Sequence, residues 1–201
     1  MARRLRPIPR RLGNSATARL TELSMEDVNA HPNTQALLDA WRRLSDDGIA
    51  SGGPTTEDYP DLVGRLFVLN HVAERDYCFR RVGYSIERLF GRQLLDHNFL
   101  TLWSEPDRRL VAAALSAAAA DRGPALIRAR GETLTGRRID LEFALAPLLG
   151  GPSIPRRFLG LCQSVTGEAL LNGRPLRRLQ AIALYPPAPS LDPAIRLVST
   201  Q

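Results

Sequence analysis

Residues 79–107 read FRRVGYSIERLFGRQLLDHNFLTLWSEPD, and the order of signals in this stretch decides the fold. Phe79 to Val82 ends a strand, and Gly83-Tyr84 turns the chain. Ser85 can cap a short helix whose apolar face carries Ile86, Leu89 and Phe90, and Gly91 stops it. A connecting segment follows. Ser104 and Asp107 then have capping-box-like spacing, with Pro106 in the first turn, so a longer helix starts there. Leu110, Val111, Ala114, Leu115 and Ala118 form one face of it, and Gly123-Pro124 ends it.

Working outward, Leu66 to Val72 and Tyr77 to Val82 are expected strands joined by a turn over Ala73 to Asp76. Downstream, Ala125 to Glu132 is a weaker strand followed by the turn Thr135-Gly136. In Arg138 to Leu145, Ile139, Leu141, Phe143 and Leu145 alternate with Arg138, Asp140, Glu142 and Ala144, which predicts one buried and one wet face. Phe158 to Val165 is the last core strand. Two strands, helices and then three strands predict an α+β protein, with an antiparallel five-stranded sheet and a helical insert between the second and third strands.

Around this domain, placed at residues 61–167, three further segments are expected. Residues 1–32 form a basic, irregular extension, with Arg3, Arg4, Arg6, Arg10 and Arg11 set among Pro7 and Pro9. Residues 33–60 hold a flanking helix capped by Asn33, with Leu37, Leu38, Trp41 and Leu44 on one face, and a Gly/Pro linker. Residues 168–201 form a C-terminal appendage, in which Arg177 to Tyr185 suits either a strand or a short helix.

At 201 residues, 44% hydrophobic and 24% charged, the chain has the composition of a soluble globular protein. Nothing in it approaches the roughly 18 apolar residues of a membrane span, and the arginine-rich start lacks the apolar region of a secretory signal, so a cytoplasmic location is expected. The net charge of +6 comes from arginine alone, since there is no lysine. Such a field favours acidic partners without naming one. No aromatic interleaves with Arg3 to Arg11, and the other arginine pairs are spread along the chain rather than forming a stripe, so nucleic acid is not the expected partner. Cys78 and Cys162 have neither disulfide-framework nor metal-ligand spacing and read as small packed side chains. No nucleophile-elbow, zinc-protease, phosphate-loop or dinucleotide signature occurs. Asp140 and Glu142 share one strand face, and their alternation with Arg138 reads as a solvated face rather than a catalytic carboxylate pair. No catalytic, cofactor-binding or metal-ligating residue is therefore assigned, and the chain is not expected to be an enzyme.

Gly83-Tyr84, Leu89-Phe90-Gly91 and Glu105-Pro106-Asp107, in this order and spacing, resemble the first half of a PAS domain. Together with Phe99, Leu102-Trp103 and the strand before Pro147-Leu148, they resemble a proteobacterial subgroup of stand-alone PAS proteins formerly catalogued as a domain of unknown function. The resemblance implies a small, mostly alphaproteobacterial regulatory protein without an output domain, acting in cell-cycle or motility type signalling. It further implies action by protein–protein contact, as a homodimer, with a signalling partner such as a kinase or response regulator and with room for modulation by a small ligand. A PAS flavin photoreceptor needs a reactive cysteine on the helical connector, and no cysteine lies between Cys78 and Cys162. A PAS haem domain needs an axial histidine, for which His97 is the position to consider; it reads instead as a surface-loop histidine.

No cofactor is therefore expected, with haem or another small ligand left open. A ligand cavity, if present, would lie between sheet and helices, lined by His71, Tyr77, His97, Trp103 and Phe143. Core packing is the alternative for the aromatic residues, and a satisfied core histidine for His71. The alternative function is a small-molecule-processing enzyme on a cystatin-like α+β cone, a fold that also begins with helices. Since a short isolated helix is marginal, Leu37, Leu38, Trp41 and Leu44 must bury their face on the sheet or on a second copy. If they meet a second copy, Trp41→Ala lowers the self-association seen by sedimentation; an unchanged mass would exclude that role.

Overall fold

The computed structural model describes residues 29–46, 60–149 and 156–187. Most of the basic extension, the Gly/Pro linker, the loop from Gly150 to Pro155 and the last fourteen residues lie outside them. Strands β1 (Leu66–Ala73), β2 (Asp76–Val82), β3 (Ala125–Thr133), β4 (Arg138–Pro147), β5 (Arg157–Ser164) and β6 (Leu176–Tyr185) form one antiparallel sheet in the order β2-β1-β5-β4-β3-β6. Helices α1 (Pro32–Asp46) and α2 (Pro60–Val63) precede it. Between β2 and β3 lie α3 (Tyr84–Phe90), a 3₁₀ turn (Phe99–Leu102) and α4 (Glu105–Ala120).

The sheet has six strands, one more than the sequence pattern predicts. The sixth comes from the C-terminal segment that suited strand or helix equally well. It pairs along β3 from Thr133↔Leu176 to Leu126↔Tyr185 and buries Leu176 and Leu179.

Two glycines fix the short helix. Gly83, not Ser85, is its N-cap; Ser85 lies inside the first turn and is 6% exposed. The backbone at Gly83 runs so close to the preceding segment that an added Cβ would come within 2.2 Å of the Gly64 carbonyl oxygen. That approach is used: Gly83 N–H donates to Leu66 O and Ser85 N–H to Gly64 O. Gly91 closes α3 in the left-handed region at φ 60°, where a side chain is disfavoured. At α4, Ser104 is the N-cap as expected, yet its hydroxyl bonds to the Asp107 carboxylate rather than to the helix backbone. Asp107 Oδ2 also accepts from the Ala181 N–H of β6 (3.1 Å), so the cap reaches across to the sheet.

The sheet is covered on both faces. The helical insert packs on the inner face. On the outer face, Leu37 and Leu38 of α1 pack against Leu126, Ala144, Leu161 and Tyr185. This overturns the expectation of a wet face on β4: Glu142, Ala144 and Ala146 are buried, because α1 adds a second layer that strand alternation does not reveal.

Each edge strand is also engaged at one or two positions. Beside β2, Phe79 exchanges backbone hydrogen bonds with the connecting segment, accepting from Asp96 N–H (2.9 Å) and donating to His97 O (3.0 Å). Beside β6, Ser104 N–H donates to Leu179 O (2.8 Å), next to the parallel bridge between Trp103 and Leu179. Because any side chain at position 83 meets backbone, Gly83→Ala is expected to cost about 1–3 kcal/mol. A thermal melt indistinguishable from wild type would contradict this packing.

Candidate functional site

The space between the inner sheet face and the helical insert is filled by aromatic rings, with Phe99 at their centre. This residue starts the 3₁₀ turn of the insert, and its ring meets Phe67 of β1 (5.8 Å between centroids), Phe79 of β2 (5.7 Å), Phe143 of β4 (5.9 Å) and Trp103 (5.7 Å). Trp103 and Phe143 also touch at 5.4 Å. Offset and edge-on contacts of this kind contribute beyond their buried area. Two buried side-chain polar atoms have no partner among the described residues, Trp103 Nε1 in this cluster and Thr34 Oγ1 in α1.

A polar latch lies on the opposite face. Glu142 of β4 is 1% exposed, and its two oxygens divide their work. One accepts from the His31 backbone N–H (3.0 Å) just before α1; the other pairs with Arg128 of β3 at 3.4 Å. Arg128 in turn donates to Asn29 O (2.6 Å) and lies over the Tyr185 ring. Asn33 donates to Gln163 of β5 (3.1 Å) instead of capping the helix, and the Trp41 indole N–H donates to Pro147 O (2.7 Å). Strands β3, β4 and β5 thus grip both ends of the helix with side-chain hydrogen bonds.

A family model described as a PAS domain matches residues 29–163. The chain belongs to the PAS domain family. No curated protein matches it significantly. Similar solved structures include an RNA-binding Light-Oxygen-Voltage receptor, 21% identical, with a TM-score of 0.45 over 64% of this chain and 39% of that one. The dark-state LOV domain of the blue-light photoreceptor Aureochrome1 is 12% identical, with a TM-score of 0.45 over 61% of this chain and 91% of that one. A PAS domain from Colwellia psychrerythraea is 15% identical, with a TM-score of 0.41 over 51% of this chain and 86% of that one. The family replaces the cystatin-like alternative.

Within this PAS domain the five residues considered for a pocket do not converge. Trp103 and Phe143 meet in the core. Tyr77 is buried, with its hydroxyl 3.3 Å from Ser116 Oγ, and its ring reaches Phe158. His71 is half-buried and stacks on Tyr77 at 4.6 Å, toward the end of β1. His97 is exposed, held by its backbone beside β2, so the bonds that blunt that edge keep its side chain out of the core. In this conformation the rings of Phe99, Trp103 and Phe143 pack directly on one another between the sheet and the insert. Among the described residues no cluster of three or more His, Cys, Asp and Glu side chains could hold a metal ion, and no helix is long and apolar enough to cross a membrane.

Of the four residues assigned to a docking face, Leu37 and Leu38 are buried on the sheet of their own chain and Trp41 is half-buried there; the side chain of Leu44 lies outside the described residues. Sequence reasoning missed Glu142 and Arg128. The run Phe143-Ala144-Leu145-Ala146, apolar without alternation, was the available signal that β4 is covered on both sides.

Neither cysteine is primed for reaction. Burial pushes the Cys162 thiol up to about 12, against a modest pull from Arg65. Cys78 is also raised, first by desolvation and then by its contact with Asp76. An aromatic disulfide reagent at neutral pH is expected to label Cys78 slowly and Cys162 only after unfolding. The unfolded thiol ionises near 9 and the folded one near 12, so the stability Cys162 contributes is complete below 9 and lost as pH rises toward 12. Rapid labelling of both thiols in the folded protein would contradict the burial of Cys162.

Proposed function

We propose that this PAS protein is a regulatory module of bacterial signal transduction that acts by protein–protein contact in the cytoplasm. The observation that carries this reading is the docking of α1. A helix held over an apolar sheet face by a few side-chain anchors is a movable cover, and its release would uncover Leu126, Leu161 and Tyr185 for another chain. Removing one partner of a buried, hydrogen-bonded charge costs about 1–3 kcal/mol or more, enough to shift such a cover substantially. The working form we propose is a homodimer that meets a signalling partner such as a kinase or response regulator. Cell-cycle or motility control is the setting suggested by family resemblance.

A second reading is supported by Trp103 Nε1. This buried donor without a described partner would welcome a small hydrogen-bond acceptor in the core, making occupancy a signal. Native mass spectrometry of the purified protein, with its denatured mass and absorption spectrum, separates the two. A dimer of empty, colourless subunits is expected. A stoichiometric extra mass would replace the docking reading with a ligand sensor, and a monomer would remove the homodimer.

A further inference from the structure

The beginning of β6 departs from strand alternation. Leu176 and Leu179 are buried, whereas Arg177 and Arg178, adjacent in sequence, are both exposed. The register explains it: Thr133 pairs with Leu176 and Glu132 with Arg178, so Arg177 is an extra, unopposed residue at a bulge. Without the bulge, adjacent side chains would point to opposite faces and one arginine would face the core. Both arginines line an open groove of about 490 Å³ against the start of α4, and both line a second of about 270 Å³ against the β3–β4 hairpin.

The charge there is uncompensated. Glu105 in the first groove is paired with Arg108, and Glu132 in the second with Arg138. Among the described residues no carboxylate pairs with Arg177 or Arg178. Beside them at the hairpin tip stands Leu134, 84% exposed, and it lines the second groove. An exposed leucine next to two unpaired guanidinium groups is complementary to a peptide carrying carboxylates around one apolar side chain. Arginine's planar fork suits carboxylates in particular. The neighbouring aromatic, Trp103, is buried, so no stacking platform for bases accompanies the charge.

We infer that the Arg177–Arg178 bulge and Leu134 form the docking surface for an acidic, leucine-containing segment of a partner protein. This rests on the proposed regulatory role and names the chemistry of the partner. The probe is a fluorescein-labelled peptide with four glutamates on either side of one leucine, followed by anisotropy. Controls carry serine for the leucine or lysine for the glutamates, and an oligothymidylate of equal length is run alongside. The acidic peptide is expected to bind, to weaken with added salt, and to lose about tenfold in affinity in the Arg177→Ser/Arg178→Ser double variant. Leu134→Ser should lose severalfold and erase the preference for leucine over serine. Circular dichroism verifies that the variants are folded, as expected for exposed positions.

Binding that is absent, or unchanged in the double variant, overturns the surface. Preferential binding of oligothymidylate that is lost in the same variant overturns it in favour of nucleic acid. Native mass spectrometry on the same samples keeps the two levels apart. An empty dimer without peptide binding removes the groove and leaves the regulatory reading. A bound endogenous mass turns the regulatory reading into a ligand sensor, whatever the peptide does at the groove.

Discussion

The ring of Phe99 ties the helical insert to the sheet. It sits in a four-residue 3₁₀ turn with little cohesion of its own, yet touches rings from β1, β2 and β4 as well as Trp103. Such a short turn cannot be stable in isolation, so its geometry is set by tertiary contact. The segment anchored by Phe99 supplies the backbone bonds that engage the β2 edge at Phe79 and leads into the Ser104–Asp107 cap that holds β6. A loss at this ring would therefore reach both sides of the sheet.

The two faces are held by different chemistry. Inside, large rings and aliphatic side chains pack together, and among the described residues the one buried side-chain polar atom left without a partner there is the Trp103 indole N–H. Outside, a smaller apolar contact is supplemented by Glu142, Arg128, Asn33 and Gln163. Apolar burial is tolerant of small shifts, whereas hydrogen bonds to a buried carboxylate demand a defined geometry. The outer layer is thus specified in position more than it is cemented in energy.

Much of this was legible in the residues because local signals and tertiary demands agree. Gly91 stops a helix wherever that helix packs, and the alternation in Ile139 to Leu145 marks a strand whatever covers it. The failures fall where a residue's role is decided by something distant in sequence. Glu142 looks solvated until a helix more than a hundred positions away is laid over it. Ser85 has the chemistry of a cap, but the close approach of Gly83 to Gly64 starts the helix earlier. Leu176 and Leu179 are three apart, a helical spacing, and only the bulge against β3 reconciles it with a strand. His97 carries a suggestive side chain, but its backbone is engaged with β2 and its ring faces water.

The engaged positions on the two edge strands have a consequence for recognition there. A bare sheet edge accepts almost any extended chain, because it offers main-chain groups common to all sequences. Here the bonds beside Phe79 and Leu179 are already taken by the molecule itself. Association at those points must go through side chains on the faces and loop tips, where one residue differs from the next. The fold thereby trades indiscriminate stickiness for selectivity written in individual amino acids.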